Sequence, residues 1–599
     1  MPVSTAIATM EEALIVPPIG RRRLLLQRLG AAGRHEWLQA CGTALLLALA
    51  MIWLLPPYLV SIMSAANVPL SVANPARTII GDGGDPSGQA WLMAWNGHAI
   101  LHDLGGLWNT NAFYPETYGL AFNDSLLGYA PAGLIGSGPA DAVLRYNIVF
   151  VLAFALAYLG GYALVRQLGA NRIGAAVAGA AFAYAPWRYG HDGHLNVLST
   201  GGIALALAML ARGHGWSFTH GYRPKRTRYG WALAGWLVAG WQVTLGFGIG
   251  LPFAYLLAAA CLAAFAGWLI SGRPALGRRL LLADLGGGLV FTAVTGYLAQ
   301  AYQHVRELHP EIPRPWGYVG VFSPTWRGLL TGPRPSLLWG AWHEPARAAM
   351  VTAANEKVLL CGFALYALAG AGLAASIWTV RQRVLLGAGI VVGVLFALGT
   401  NGPLYRYLFL YLPGFDGIRT PGRLILWPTL LLGILAAGLV THLSRRAAEI
   451  TQPEYARTAA RIVTVPLLIA VLLEGMPRLD HVPMPAAPAA LAAAPAPLIV
   501  LPSDDGIDLT VMLWSTAGFP TMVNGAAGIN TPVHQGIRDL MLTFPSTASQ
   551  DRLRQLGVRS VVVVRDRVIG TPFEHVLSAP PTPGVTRHDI GPDVLYTLD

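Results

Sequence analysis

Apolar residues in this chain come in runs, and arginine punctuates the runs. Stretches of about 16–25 residues recur, the length at which a helix crosses a hydrocarbon core of about 30 Å. The pattern predicts about eleven transmembrane helices: 37–63, 142–165, 173–187, 195–211, a tight pair within 231–271, 280–301, 355–379, 384–399, 424–442 and 462–478. Basic residues collect in the short gaps, as the positive-inside rule expects of cytoplasmic loops. Examples are Arg166 with Arg172, Arg212 through Arg228, Arg381 with Arg383, and Arg445 with Arg446. Residues 1–36, with Arg21, Arg22 and Arg23, then form a basic cytoplasmic N-terminus, and 37–479 a transmembrane domain. The long loops 64–141, 303–354 and 400–423 face outward.

The pattern changes after the last span. Residues 480–497 are rich in proline and alanine and read as a linker. Beyond it, Leu498–Leu501 and Val558–Val564 are β-branched runs of strand length, and the polar stretch Asp551–Leu556 is helix-compatible. Residues 498–599 are thus expected to form a small outward-facing α/β domain. The fold class is mainly α: a polytopic membrane protein with a mixed C-terminal domain.

Composition sharpens this reading. Of 599 residues, 54% are hydrophobic and 12% charged, and the mean hydropathy is +0.49. A soluble domain carries about 25% charged residues. A soluble enzyme, a disordered chain and a single-span anchor are excluded. The net charge of +11 does not point to nucleic acid, because the basic residues sit between apolar runs and are not interleaved with aromatics. Cys41, Cys261 and Cys361 lie in or beside apolar runs and offer neither a disulfide framework nor metal-ligand spacing. The first run starts near Trp37 with no cleavage site behind it, so it is read as an uncleaved span.

Chemistry-bearing residues concentrate in the outer loops. The first loop contains Gly81-Asp82-Gly83-Gly84-Asp85-Pro86, followed by Trp91, Trp95 and His98 at helical spacing. Indoles so spaced suit a helix lying in the membrane interface. The turn places Asp82 and Asp85 at that helix's N-terminus, where the dipole favours a carboxylate; a plain solvated turn with an Asp cap is the competing reading. Asp124 precedes the apolar stretch Leu126–Ile135 and is first an N-cap, second a substrate or metal contact. In His191-Asp192-Gly193-His194, two histidines flank an acid at the mouth of the core. They suit a sugar or phosphate contact, simple packing, or a divalent ion for which nothing names the remaining ligands. Arg419 and Arg423, near Pro421, lie on the outer face, where positive-inside statistics do not favour arginine. Guanidinium forks bind phosphate oxygens in pairs, and headgroup anchoring is the alternative; Arg419, preceding the span, is preferred. The second long loop mixes His304, Arg306, His309, Trp326, Trp339, Trp342 and His343, and is read as an acceptor-side wall. Glycines within spans, such as Gly286-Gly287-Gly288, are expected to serve close helix packing.

A long first outer loop with a membrane-edge Asp, a polytopic core and an outward C-terminal domain resembles the GT-C superfamily of polyprenyl-phosphate-sugar-dependent glycosyltransferases. Gly81–Trp95, Asn111–Pro115, Gly193–Asn196 and Phe415–Arg423, with Val523-Asn524-Gly525 and Leu556–Val561, are similar to bacterial membrane proteins grouped as YfhO-like. The resemblance implies sugar transfer to a cell-envelope acceptor on the outer face, with a loop Asp as base. Because the leaving phosphate is already anionic, one carboxylate suffices and a single displacement inverts the anomeric centre. The implied roles are Asp85 as base with Asp82 in support, and Arg419 with Arg423 on the donor phosphate. Asp124, His191, His194, Asn196, Trp91 and Trp95 are the implied substrate contacts. No residue is assigned to a metal and no cofactor is certain, with a divalent metal possible. The expected partners are the lipid donor, an envelope glycan or glycolipid acceptor, and membrane lipid. A lipid-sugar flippase or transporter and a non-catalytic assembly protein are the alternatives.

Overall fold

A computed structural model describes residues 35–56, 73–272, 277–312, 314–580 and 582–599. The chain divides into two compact units, Met1–Thr43 and Ala44–Asp599. Of the first unit, the described part is residues 35–43, which open helix α1 (Glu36–Ala48). The basic cluster Arg21–Arg23 and the end of the expected first span lie outside the described residues.

The chain is a mainly helical, polytopic membrane protein with a small C-terminal α/β region. Among the described residues, eight helices are long and apolar enough to cross a membrane. They are Glu36–Leu54, α3 (Gly138–Leu168), α5 (Leu195–Gly213), α7 (Phe247–Ile270), α8 (Arg278–Leu308), α10 (Val380–Ala397), α11 (Pro421–Glu449) and α12 (Ala456–Glu474). Three other apolar runs form shorter helices: α4 (Arg172–Tyr184, 13 residues), α6 (Tyr229–Leu245, 17 residues) and α9 (Phe363–Ala374, 12 residues). For α4 and α9 the shortening has a local cause. Pro186 follows α4, and a proline disfavours helical geometry at the residue before it; Ala185 is accordingly extended. Before α9, Leu359 and Leu360 donate their backbone N–H groups to Gly328 and Thr331 and so enter the core as extended chain. The start of α9 is capped by Glu474, whose carboxylate accepts from the Phe363 and Ala364 amides at 2.6 and 2.7 Å.

The helical core packs on glycine. A Cβ on Gly160 of α3 would lie 2.3 Å from the Gly201 carbonyl of α5, and a Cβ on Gly201 would meet the Leu156 backbone at 2.4 Å. The two backbones touch there, as small-residue interfaces in membranes require. Of the expected glycine triplet, only Gly287 makes such a contact, against Trp236 of α6; a Cβ on Gly286 would meet open space.

Before the α3 bundle, the first long loop runs through strand β1 (Thr78–Ile80) into helix α2 (Asp85–His102). β1 pairs antiparallel with β2 (His481–Pro483), Thr78 opposite Pro483. Residues read as a linker therefore tie the first loop to the start of the tail. α2 is buried almost throughout. A Cβ on Gly97 would lie 2.1 Å from Gly133, and one on Gly88 2.6 Å from Leu509 of α13 (Asp505–Trp514). This helix is interior and not interfacial: protein covers the faces that the tryptophan spacing assigned to lipid.

The tail holds a four-stranded sheet in the order β3-β4-β6-β5, from β3 (Leu498–Leu501), β4 (Ser560–Val563), β5 (Val585–Ile590) and β6 (Asp593–Leu598). β3 and β4 pair in parallel, Val500 opposite Val562, and the other pairs are antiparallel. Helix Thr547–Gln555 occupies the expected polar stretch. β5 escaped the sequence pattern because Thr586, Arg587, His588 and Asp589 are all exposed, so no apolar alternation marks it.

Candidate active site

Two glycines build the site by letting two loops interlock. Gly81 has φ +98°, open to glycine and strained for other residues, and its missing Cβ would lie 3.1 Å from the Asp192 carbonyl. A Cβ on Gly193 would lie 3.2 Å from the Asp85 Cβ. The turn that opens α2 is thereby pressed against the loop between α4 and α5. That loop is held from behind by buried Arg188, which donates to Thr200 Oγ1 at 2.9 Å and to the Leu198 carbonyl at 2.6 Å.

The result is a continuous polar wall. Asp85 Oδ2 lies 3.2 Å from His194 Nε2. His191 is buried, with Nε2 3.9 Å from Glu356 Oε2. Glu356, on the short helix Ala354–Lys357, accepts from Arg423 Nε at 3.1 Å and from Arg423 Nη2. A second strand of contacts runs beside it: Gln89 Nε2 donates to Asn196 Oδ1 at 3.3 Å, and Asn196 Nδ2 donates to Asp124 Oδ2 at 2.5 Å. Asp124 does not cap Leu126–Ile135. Its Oδ1 accepts from the Gly248 amide at 3.0 Å and so caps the first turn of α7, far away in sequence.

Asp85, Asp124, His194, Asn196, Arg419 and Arg423 line a cavity of about 1030 Å³. Its other walls are one face of α7 (Phe247, Leu251, Ala254, Tyr255, Ala258) and the facing side of α8 (Phe291, Thr295, Ala299, Tyr302). The α7 face runs about 16 Å at 1.5 Å per residue. Tyr302 stacks on Phe247 at 5.0 Å, next to the carboxylates, and Phe291 meets Phe253 further along. One end of the cavity is polar and the trough leading from it is apolar.

The two arginines differ. The fork of Arg423 already grips Glu356. Arg419 donates to the Tyr318 hydroxyl at 3.1 Å and lies over the Phe322 ring at 5.1 Å, with no carboxylate paired to it among the described contacts. Arg306, also at the cavity, is bound to Asp416 at 2.6 Å, and Arg314 donates to the Gly417 and Gly528 carbonyls.

Other expected site residues sit elsewhere. Asp82 is exposed outside the cavity lining, and its Oδ1 accepts from the Gly84 amide at 3.0 Å, fixing the turn. Trp91 and Trp95 are buried in the protein and donate to Asn111 Oδ1 and the Leu107 carbonyl. Neither indole is among the residues that line the cavity. His191 lies behind the lining, one layer deeper than His194. Of the second long loop, Arg306, His309 and Arg314 face the cavity, whereas Trp339 donates to Glu474 and stacks on His343. Glu356 and Gln89 escaped the sequence reading. An acid at the head of an apolar run was the one available signal for Glu356.

Electrostatics follow from these contacts. Burial works against ionisation of Asp85, but the hydrogen bond and charge of His194, with Arg423 and Arg419 nearby, outweigh it and hold the carboxyl below its usual range. Glu356 is likewise buried, yet Arg423 keeps it well below the usual range. Burial pushes His191 down to about 3, so it is neutral. Burial, with Asp82 beside it, pushes Asp192 up to about 6.

No family model matches the chain, and no curated protein matches it. Several solved structures are similar to the chain. One is a cryo-EM structure of the mycobacterial arabinofuranosyltransferase AftD, at 17% identity and TM-score 0.47, covering 94% of this chain and 41% of that one. This chain thus spans 41% of the length of AftD. ArnT from Cupriavidus metallidurans in the apo state is similar at 15% identity and TM-score 0.42, over 95% of this chain and 98% of that one. ArnT bound to undecaprenyl phosphate is similar at 15% identity and TM-score 0.41, over 87% and 94%.

Proposed function

We propose that this chain is an integral membrane glycosyltransferase that moves a sugar from a polyprenyl-phosphate donor to a cell-envelope acceptor on the outer face. The observation that carries the reading is the cavity: an apolar trough between two membrane helices ends where a carboxylate and an arginine without an acidic partner meet. A lipid tail fits the α7–α8 trough by its chemistry, and the phosphate at its head meets Arg419. Asp85 takes the proton from the acceptor hydroxyl, the hydroxyl oxygen bonds to the anomeric carbon, and the sugar–phosphate bond breaks. The leaving lipid phosphate carries its charge onto Arg419, and the anomeric configuration inverts. Asp124, Asn196 and His194 form the sugar-facing side of the lining.

A base with a depressed pKa is a weak base. Part of that depression comes from Arg419 and Arg423. A donor phosphate on Arg419 neutralises this pull and raises Asp85 toward the range in which it accepts a proton. Donor binding and base strength are therefore coupled. The N-terminus belongs on the cytoplasmic side and the C-terminal sheet outside, in keeping with the arginines of the short loops between apolar runs.

The test is transfer from synthetic polyprenyl-phosphate sugars by purified protein, compared with Asp85→Asn. Transfer by wild type and its loss in the variant support the reading. Undiminished transfer by the variant removes Asp85 from the chemistry.

A further inference from the structure

Behind the cavity wall, His191 and Glu356 are left over once the roles above are assigned, and His194 of the lining stands beside them. His191, His194 and Glu356 each bring one potential ligand atom to within 4.8 Å of the others. His191 is 1% exposed, and its Nδ1 has no hydrogen-bond partner. The Nδ1 of His194 is also buried and without one. A buried polar atom left unpaired costs on the order of 1–3 kcal/mol, and both histidines carry such an atom while grouped with the Glu356 carboxylate.

The outer contacts of this trio are those that hold metal ligands in place. His194 presents Nε2 to Asp85 at 3.2 Å, which leaves Nδ1 as its donor atom. A carboxylate on the far nitrogen of a ligating histidine fixes its tautomer and strengthens it as a donor. Glu356 is oriented by Arg423, whose Nε reaches Oε2 at 3.1 Å. Each carboxylate oxygen has a second lone pair beyond the one the arginine uses.

We propose that His191, His194 and Glu356 form a zinc site, with its fourth position open toward the cavity that His194 lines. Two imidazole nitrogens and one carboxylate suit zinc, whereas calcium and magnesium favour oxygen-only sets. Tetrahedral zinc at about 2.0–2.1 Å from each ligand sets the ligand atoms about 3.4 Å apart. The trio's ligand atoms, now within 4.8 Å of one another, must draw together to reach that spacing. The ion ties the α4–α5 loop to the helix Ala354–Lys357, and through His194 it fixes the position of Asp85.

The experiment needs no substrate, so its failure and that of the transferase reading are distinguishable. Full-length protein, freed of any affinity tag and stripped with chelator, is titrated with Zn²⁺ and desalted for elemental analysis. Co²⁺ loading is followed by its visible absorption. About one equivalent of zinc and a tetrahedral cobalt spectrum are expected. His194→Gln, at a half-buried position, and Glu356→Gln should each weaken zinc at least about 10-fold, while elution as a single folded peak shows that the fold survives. If Glu356→Gln fails to fold, His194→Gln alone decides. Less than a tenth of an equivalent in wild type overturns the site, as does undiminished zinc in His194→Gln.

Discussion

Two buried arginine–carboxylate centres, one in the membrane domain and one in the tail, are built from the same groups and finished differently. In the tail, Asp508 is fully buried, and its carboxylate accepts from Ser503 Oγ, Asn524 Nδ2, the Gly525 amide and Arg538 Nη2, at 3.0, 2.7, 3.1 and 2.7 Å. Arg538 also reaches Asp505 at 2.6 Å, leaving only its Nε–H without a partner. In the membrane domain, Glu356 and Arg423 grip each other, but the histidines beside them keep unpaired nitrogens and the wall opens on a cavity. A satisfied network rigidifies a fold. One with unspent donors and acceptors beside a void has capacity for a ligand. The tail centre is read as structural and the membrane centre as the working site.

The sharpest way to break this contrast is at Asp85. Asp85→Asn keeps the shape and capping ability of the residue but removes the proton acceptor, so transfer should fall about 100-fold or more with little change in Tm. Asp82→Asn should cost much less, since Asp82 holds the turn outside the cavity. Equal losses in both would mean that the turn, and not the base, was damaged.

At the tail centre the effect should be on stability. Removing one partner of a buried pair costs about 3–5 kcal/mol. Arg538→Met should lower the unfolding temperature and expose the tail to protease. A variant as stable as wild type would show that the Asp508 network does not hold the sheet region together.

The two cavity arginines offer a finer comparison. Arg419→Lys keeps charge but loses paired geometry, so binding of a polyprenyl-phosphate analogue should weaken by about 1–3 kcal/mol at unchanged Tm. Arg423→Lys should act first on Tm, because it breaks the fork on Glu356. Donor binding that ignores Arg419→Lys would assign that residue to anchoring.

The smallest expected effect concerns Asp192. Its folded pKa of about 6 lies above its ordinary value of 3.8, so between these values the folded state binds more protons than the unfolded one. Stability from this group is full at low pH and declines as pH rises through that window. Asp192→Asn should thus raise stability above pH 6 by on the order of 1 kcal/mol and make no difference near pH 4. An equal Tm gain at both pH values would assign the effect to something other than ionisation.

Much of the fold was legible because it is local. Each run of apolar residues carries its helix in its own composition, and Leu498–Leu501 and Val558–Val564 announce strands by their β-branched residues. Where the sequence misled, distant contacts were responsible. The tryptophans of α2 have interfacial spacing, yet Leu509 and Gly133 cover that helix. Asp124 stands before an apolar run, yet caps α7. The narrower likeness to YfhO-like proteins found no matching family model.

The sequence by itself determined that this chain enters a membrane many times, that its acids and histidines gather in a few loops, and that Asp85 lies within a long loop and Arg419 just before a span. Composition and spacing along one segment fix such properties. Only the tertiary structure decided that Gly81 and Gly193 let two loops touch, and that Glu356 sits between His191 and Arg423. It also decided that Arg423 is paired whereas Arg419 is not. These depend on backbones meeting at glycine contacts such as Gly160 with Gly201. A side chain's partner is set by the packing of helices distant in sequence, which no single segment encodes.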